Sequence, residues 1–377
     1  LLKIVVGVDT DEDFNGVYTP DSATVYNASQ LVQAVGTDSV KNITLANDIT
    51  RDQPLDASRG DLSFDFTNGN LLLTAGAVLT LSATQAETAS VGGTGTVVIT
   101  GASVTLSSDF SGLTTDGVTL EVNDDLDVTE ATLDGIDFDI VAGELTVAAS
   151  QLSGSALEGT GSARILLDDL RADLSTLTVV GTELTVTTVV NSDSGTFTGS
   201  FGNTSVLVES GAVLTTTAAR LDGVEVTGDG DVVATNPAGN IDLSGVSVNG
   251  SQTLNVTQSG SEVSGDLGAF SVNVANNVTF TVNAGAVDGV AVSGAGDLVV
   301  TGLDETTAGA DFSDISNSGT ATFVVTGDLE LTSELPSDSV VTVNAGQTLT
   351  LASDLSPSTY QRAVPLRCAR DRPTAAS

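Results

Sequence analysis

At 377 residues, with 4% aromatics and no Met, Trp or His, the chain lacks the aromatic area on which a globular core of this size relies. Eleven basic against 49 acidic residues leave a net charge of −38, which sets it against nucleic acid and anionic membranes as partners. Without His there is no imidazole catalysis, the single Cys368 builds no internal disulfide framework, and no run of 18 apolar residues offers membrane insertion.

Residues 1–24 read as an acidic N-terminal strand and linker. Leu1 opens the chain without Met or a signal peptide, as expected of an excised piece of a larger protein or of one whose leader is gone. The loop DTDEDFNG carries oxygen ligands at alternate positions, Asp9, Asp11, Asp13 and Asn15. It fails as an EF-hand, because loop position 6 is Phe14 and position 12 is Pro20. A looser calcium-stiffened linker is one metal site the residues suggest, and calcium is the candidate cofactor.

Residues 25–61 form the expected cap and first coil. Leu31, Val32 and Val35 fall at helical spacing, with Asn27 or Ser29 as the cap. KNITLANDIT then alternates Ile43, Leu45 and Ile49 as a strand.

Residues 62–356 are a train of short strands carrying an internal repeat. A Gly-x-Gly step before a β-branched run occurs at Gly93, Gly159, Gly228 and Gly294. The second glycines, Gly95, Gly161, Gly230 and Gly296, follow one another at a nearly constant period of roughly 66 to 69 residues. A second marker, an apolar run ending in a glycine turn, precedes each copy, at Gly76, Gly143, Gly211 and Gly285, with a fifth at Gly346. A fixed period of this kind decides architecture. The unit from 96 to 161 divides into three equal parts of about 22 residues, each close to one coil of a parallel β-helix. On that division the repeat period is three coils. About 13 coils would stack, at roughly 4.8 Å each, into a rod near 60 Å long. Interior ladders are expected from Val97, Ile99, Leu120, Val122, Leu145 and Val147, continued by Leu207, Val233, Val282 and Val299. After Gly346 the offset predicts a Gly-x-Gly near residue 365, where the chain reads instead SPSTYQRAVPLRCARDRPTAAS. Residues 357–377 are therefore expected to be a non-repeat tail, extraneous or disordered.

The pattern VYNASQLVQAVGTDSVKNITLANDIT before β-helical coils resembles the entry into the pectate-lyase-like right-handed β-helix superfamily. The repeat text, VTVNAGQTLTLAS and GTGTVVITG, resembles the passenger regions of bacterial surface proteins, the filamentous-haemagglutinin-type adhesins and autotransporter passengers. The resemblance implies an all-β right-handed parallel β-helix. It also implies secretion to the cell surface and a structural or adhesive role, and it transfers no catalytic residues.

The expected function is thus a non-enzymatic extracellular structural or adhesive rod, a segment of a large bacterial surface protein. Its partners would be neighbouring repeats, further copies of itself, or cell-surface glycans. A filament or surface-layer subunit is one alternative. A polysaccharide-binding or polysaccharide-cleaving β-helix is another, and its best constellation is Asp124–Asp125 with Asp168–Asp169, flanked by Arg164 and Arg171. Two equal coils separate the pairs, which would bring them to about 9.6 Å on one face, just beyond an inverting carboxylate pair. A calcium site is the other functional reading of these aspartates, and the bland one is turn capping. Sequons at Asn42, Asn255 and Asn277 offer glycan attachment, although several arise by chance in a chain so rich in Thr, Ser and Asn.

Overall fold

The computed structural model describes residues 17–19, 22–59, 62–102, 108–133, 135–181, 183–191, 195–260 and 262–351, and the strand pairings of 361–362 and 367–368. The chain divides into two compact units, Leu1–Thr188 and Val189–Ser377. Each is a parallel β-solenoid, and together they count about 16 turns with very little helix.

In the first unit, one parallel sheet runs through Ile49–Arg51, Leu71–Leu73, Val91–Thr100, Leu113–Val122, Ile136–Ile140, Ala156–Gly159 and Thr178–Val180. A second stacks Leu126–Asp127, Glu144–Ala148 and Ser162–Leu166. In the second unit three faces are visible. Ser205–Val208, Val226–Gly228 and Val246–Val248 make one. Val213–Thr217, Asp231–Thr235, Gln252–Val256, Ser271–Val274 and Val292–Gly294 make the next. The third runs from Gly239–Asp242 to Val340–Val343. Backbone N–H and C=O groups in these ladders bond to the turn above or below, as parallel pairing allows.

The coils are shorter and less even than the equal division of the repeat implies. Parallel partners one turn apart measure them directly: Val118 lies beside Ile136, Val206 beside Val226, and Ile241 beside Gly265. One turn therefore takes from about 18 to about 24 residues, according to where along the solenoid it lies. About 16 turns are present along the chain, where about 13 were expected of the repeat region alone. At roughly 20 residues per turn, the repeat period is some three and a third turns. Each Gly-x-Gly consequently leads into a different sheet: Thr96 pairs with Val78, Ser162 with Glu144, Asp231 with Val213, and Asp297 with Thr279.

The interior is an aliphatic column. Val97, Ile99, Leu120, Val122, Leu145, Val147 and Val282 are all buried, as expected. Leu207, Val233 and Val299 point outward instead, and the buried positions are their neighbours Val206 and Val208, Val232 and Ala234, and Leu298 and Val300. In runs such as SVLV and DLVV the apolar residues stand side by side, so alternation alone leaves the register ambiguous by one and a slip inverts both faces. Buried rings pair within the interior: Phe197 stacks on Phe201 at 4.4 Å, and Phe312 meets Phe323 edge-on at 5.3 Å. A void of only about 10 Å³ lies among Leu31, Leu45, Leu55 and Leu79.

The N-terminal end carries the helix Ala28–Val35, capped by Asn27, whose side chain accepts from the Gln30 N–H. Gln30 in turn accepts from the Tyr26 N–H at 2.7 Å. Leu31 and Val35 face the coil, whereas Val32 stands 41% exposed and takes no part in the packing. Val17–Thr19 adds an antiparallel strand to Ser22–Val25. At the far end, Gln361–Arg362 pairs beside Val340–Val341, and Arg367–Cys368 beside Thr350–Leu351. These parts of the expected non-repeat tail therefore continue the parallel pairing; the position near 365 lies outside the described residues.

Candidate functional site

The periodic glycines are where the sequence is most demanding. Gly93, Gly159, Gly228 and Gly294 have φ of +108°, +115°, +123° and +105°. A Cβ on any of them would overlap the carbonyl oxygen of the residue one coil below: Leu73, Ile140, Val208 and Val274 respectively. The second glycine of each pair rests on the turn beneath. The residue after it donates to that turn, Thr96 to Ala77 at 2.9 Å, Ser162 to Gly143 at 3.0 Å, Asp231 to Ala212 at 2.9 Å, and Asp297 to Val278 at 2.8 Å. Two features of the repeat thus form one contact, a Gly-x-Gly corner seated on the glycine turn of the previous coil.

That contact corrects the fourth marker. The turn beneath Gly296 is Ala275–Val278, and its positive-φ residue is Asn277 at +61°, matching Gly76, Gly143 and Gly211 at +84°, +78° and +83°. Gly285 lies in the short helical turn Ala284–Ala286 and has no such role. Asn escaped notice because only the glycine copies announce themselves, yet Asn is among the few residues that tolerate this backbone.

A further periodic device has no glycine to mark it. The helical turns after Val78–Ser82, Glu144–Ala148 and Val213–Thr217 each present one polar side chain to the coil below. Gln85 accepts from the Ser82 N–H and donates to the Arg59 and Leu62 carbonyls. Gln151 accepts from the Ala148 N–H and donates to the Val128 and Ala131 carbonyls. Arg220 donates to the Gly199 and Thr198 carbonyls and to the Thr217 hydroxyl. With Ala286, which has no polar group to offer, these positions keep the same spacing as the second glycines. That spacing was the available signal.

The aspartates suggested for chemistry stand apart. Leu126 pairs with Leu145 and Leu145 with Ala163, so Asp125 and Asp168 are indeed two turns apart. Asp125, however, precedes its strand and accepts from the Glu144 N–H at 3.0 Å. Asp168 follows its strand and accepts from the Ser150 N–H and hydroxyl. A whole strand of extended chain separates the two columns, roughly 20 Å along the strand direction. Asp169 accepts from the Arg171 N–H at 2.9 Å in a local turn. The expected facing distance does not follow from this placement. Asp9, Asp11, Asp13 and Asn15 lie outside the described residues, and among the described residues no three acidic, His or Cys side chains converge on a metal-sized site.

Several other aspartates close local turns as Asp169 does. Asp56, Asp109, Asp173, Asp242, Asp304 and Asp311 each accept from the backbone N–H two residues on. These bonds favour the ionised form and hold the carboxyls below their ordinary range. Hydroxyl donors lead at Asp56, Asp173, Asp242 and Asp304, and the backbone donor leads at Asp109 and Asp311. Because the folded values are lowered, their stabilisation is present above the unfolded value near 3.8 and lost as pH falls through the folded ones. Circular-dichroism melts should therefore show no loss of stability from these turns between pH 7 and about 5, and a decline beginning only below about pH 4.

One outward column carries three acids in succession: Glu121 pairs beside Asp139, and Asp139 beside Glu158. Like charges on strands about 4.8 Å apart repel, at a cost of a few tenths to about 1 kcal/mol per contact. Asp139→Thr should raise the melting temperature slightly at low salt, and the gain should fade as salt screens the wild-type repulsion. An unchanged or lower melting temperature at low salt would show the column to be tolerated without strain. The chain matches no family model, and comparison with curated proteins and solved structures finds no match.

Proposed function

We propose that this chain is a non-enzymatic structural and adhesive segment of an extracellular or cell-surface protein, of the kind carried by bacterial adhesin and autotransporter passengers. The observation that carries the reading is where the repeat places its special residues. The Gly-x-Gly corners, the turns at Gly76, Gly143, Gly211 and Asn277, and the side chains of Gln85, Gln151 and Arg220 all join one coil to the next. A filled aliphatic interior leaves ligand contact to the outer surface. A net charge of −38 favours solubility outside the cell and discourages nucleic-acid contact. The role is thus to hold and space surface groups on long stretches of regular backbone.

Labelling of intact cells of the source organism with an antibody to the folded chain tests the location, and attachment of beads carrying the purified chain to the same cells or to their host surfaces tests the adhesive part. Labelling that requires permeabilised cells would remove the extracellular reading. Beads that attach no better than uncoated ones would reduce the role to spacing alone.

A further inference from the structure

We propose that Asn277 is an attachment site for an N-linked sugar. Six positions have the acceptor form Asn-x-Ser/Thr with x other than Pro: Asn27, Asn42, Asn203, Asn249, Asn255 and Asn277. The fold separates them. Asn27 uses its side chain to cap the first helix. Asn42 is held between Ser22 and Ser63, with the Ser63 hydroxyl donating to it at 2.7 Å. Asn249 donates its amide to Asp229 at 2.6 Å. Asn255 is half-buried, accepts from Asn273, and its partner hydroxyl on Thr257 is taken by Asn236. At Asn203 the intervening Thr204 is buried, with its hydroxyl on the Phe201 carbonyl.

Asn277 differs from Asn27, Asn42, Asn249 and Asn255, and shares with Asn203 a buried intervening residue, here Val278. It is exposed at the tip of the turn Ala275–Val278, closed by the Val278 N–H on the Ala275 carbonyl at 3.1 Å. Among the described residues, neither its amide nor the Thr279 hydroxyl is engaged in a hydrogen bond; Thr279 uses only its N–H, toward the Ser259 hydroxyl. The equivalent turns show where such a side chain goes. A Cβ built on Gly76, Gly211 or Gly346 meets nothing within 4 Å, whereas one on Gly143 would meet the Asp124 and Asp125 backbone; Asn277, itself exposed, follows the open turns. Asn277 therefore gives up the conformational ease of glycine without gaining a packing contact.

The chemistry needs a sugar–pyrophosphate donor, nucleotide- or lipid-linked, and a transferase. The Asn277 Nδ2–C1 bond forms as the C1–O bond to phosphate breaks. The pyrophosphate leaves with the electron pair, and the amide proton passes to a base of the transferase. The site rests on the extracellular reading only for its encounter with such an enzyme.

The test is site mapping by mass spectrometry of two samples: the protein from its own cells, and the folded full chain treated with a soluble asparagine glycosyltransferase and UDP-glucose. The expected result is sugar on Asn277 in both, lost in Asn277→Gln and in Thr279→Val, with Asn42 and Asn255 bare in the folded chain. Asn277→Gly, which copies the other turns, should lose the sugar while melting as the wild type does, so that loss of modification is not loss of fold. A bare Asn277 in either sample overturns the proposal. If it is bare in the native protein alone, the extracellular reading is what failed; if bare in the treated chain, the geometry is.

Discussion

Gly228→Ala should destabilise the second unit by about 4 kcal/mol, whereas Gly211→Ala, on the coil beneath, should cost only about 1 to 2 kcal/mol. Both glycines have positive φ, +123° and +83°. The difference lies in what surrounds them. Gly211 faces open space, so its substitution costs only the backbone preference. A Cβ on Gly228 would overlap the carbonyl, the carbonyl carbon and the amide nitrogen of Val208, and backbone cannot swing aside as a side chain can. The ladder from Val206–Val208 to Val226–Gly228 would have to open. Thermal melts of the pair, together with hydrogen exchange at Val226 and Thr227, check this. A Gly228→Ala protein melting within a degree or two of Gly211→Ala would show that the corner has slack. Gly211→Asn should be milder still, since the chain itself uses Asn at the matching Asn277.

Gln85→Leu should cost about 2 to 4 kcal/mol in the first unit, even though it places an apolar residue at a position only 3% exposed. The Gln85 amide bridges three backbone groups: it accepts from Ser82 at 2.8 Å and donates to Arg59 and Leu62 at 3.0 Å each. Leucine fills the space and leaves those groups without this partner, and the Leu62 bond is fully buried. Gln85→Glu tests the chemistry. A carboxylate keeps the acceptor for Ser82 but turns an oxygen on the two carbonyls, so it should be at least as damaging as leucine at neutral pH. If Gln85→Leu melts as the wild type does, the helical turn is held by packing alone. Arg220 performs the same task in the second unit, so Arg220→Leu should echo the effect there.

Architecture was legible where the signal was local and unambiguous. In ITLANDI, Ile43, Leu45 and Ile49 are inside as read, although the run turns a corner at 46–48 and places Ile49–Arg51 in a different sheet from Asn42–Leu45. The Gly-x-Gly period was read as a coil marker, which the seat of Gly93 over Leu73 explains. What escaped depends on coil length. The repeat period divides by three as readily as by three and a third, and only pairings such as Val118 with Ile136 choose between them. The same uncertainty moved Asp168 to the other end of its strand from Asp125. Leu207, Val233 and Val299 were misassigned because an unbroken apolar run carries no period-two signal. The polar clasps were invisible for a different reason. Gln85, Gln151 and Arg220 share a task but not a residue type, so their identity emerges only from their bonds.

A period that is not a whole number of turns bears on how such a chain can change length. Excising one copy of the repeat within a unit would rejoin strands from two different faces, so the side chains that follow in that unit would be re-aimed by about a third of a revolution while keeping their inward or outward sense. Surface groups that had pointed the same way would then diverge. Removing three copies would bring the faces back into phase. Shortened or lengthened relatives that preserve a common binding side should therefore differ by multiples of about 200 residues, and those that differ by one copy should present their surface groups in a new direction.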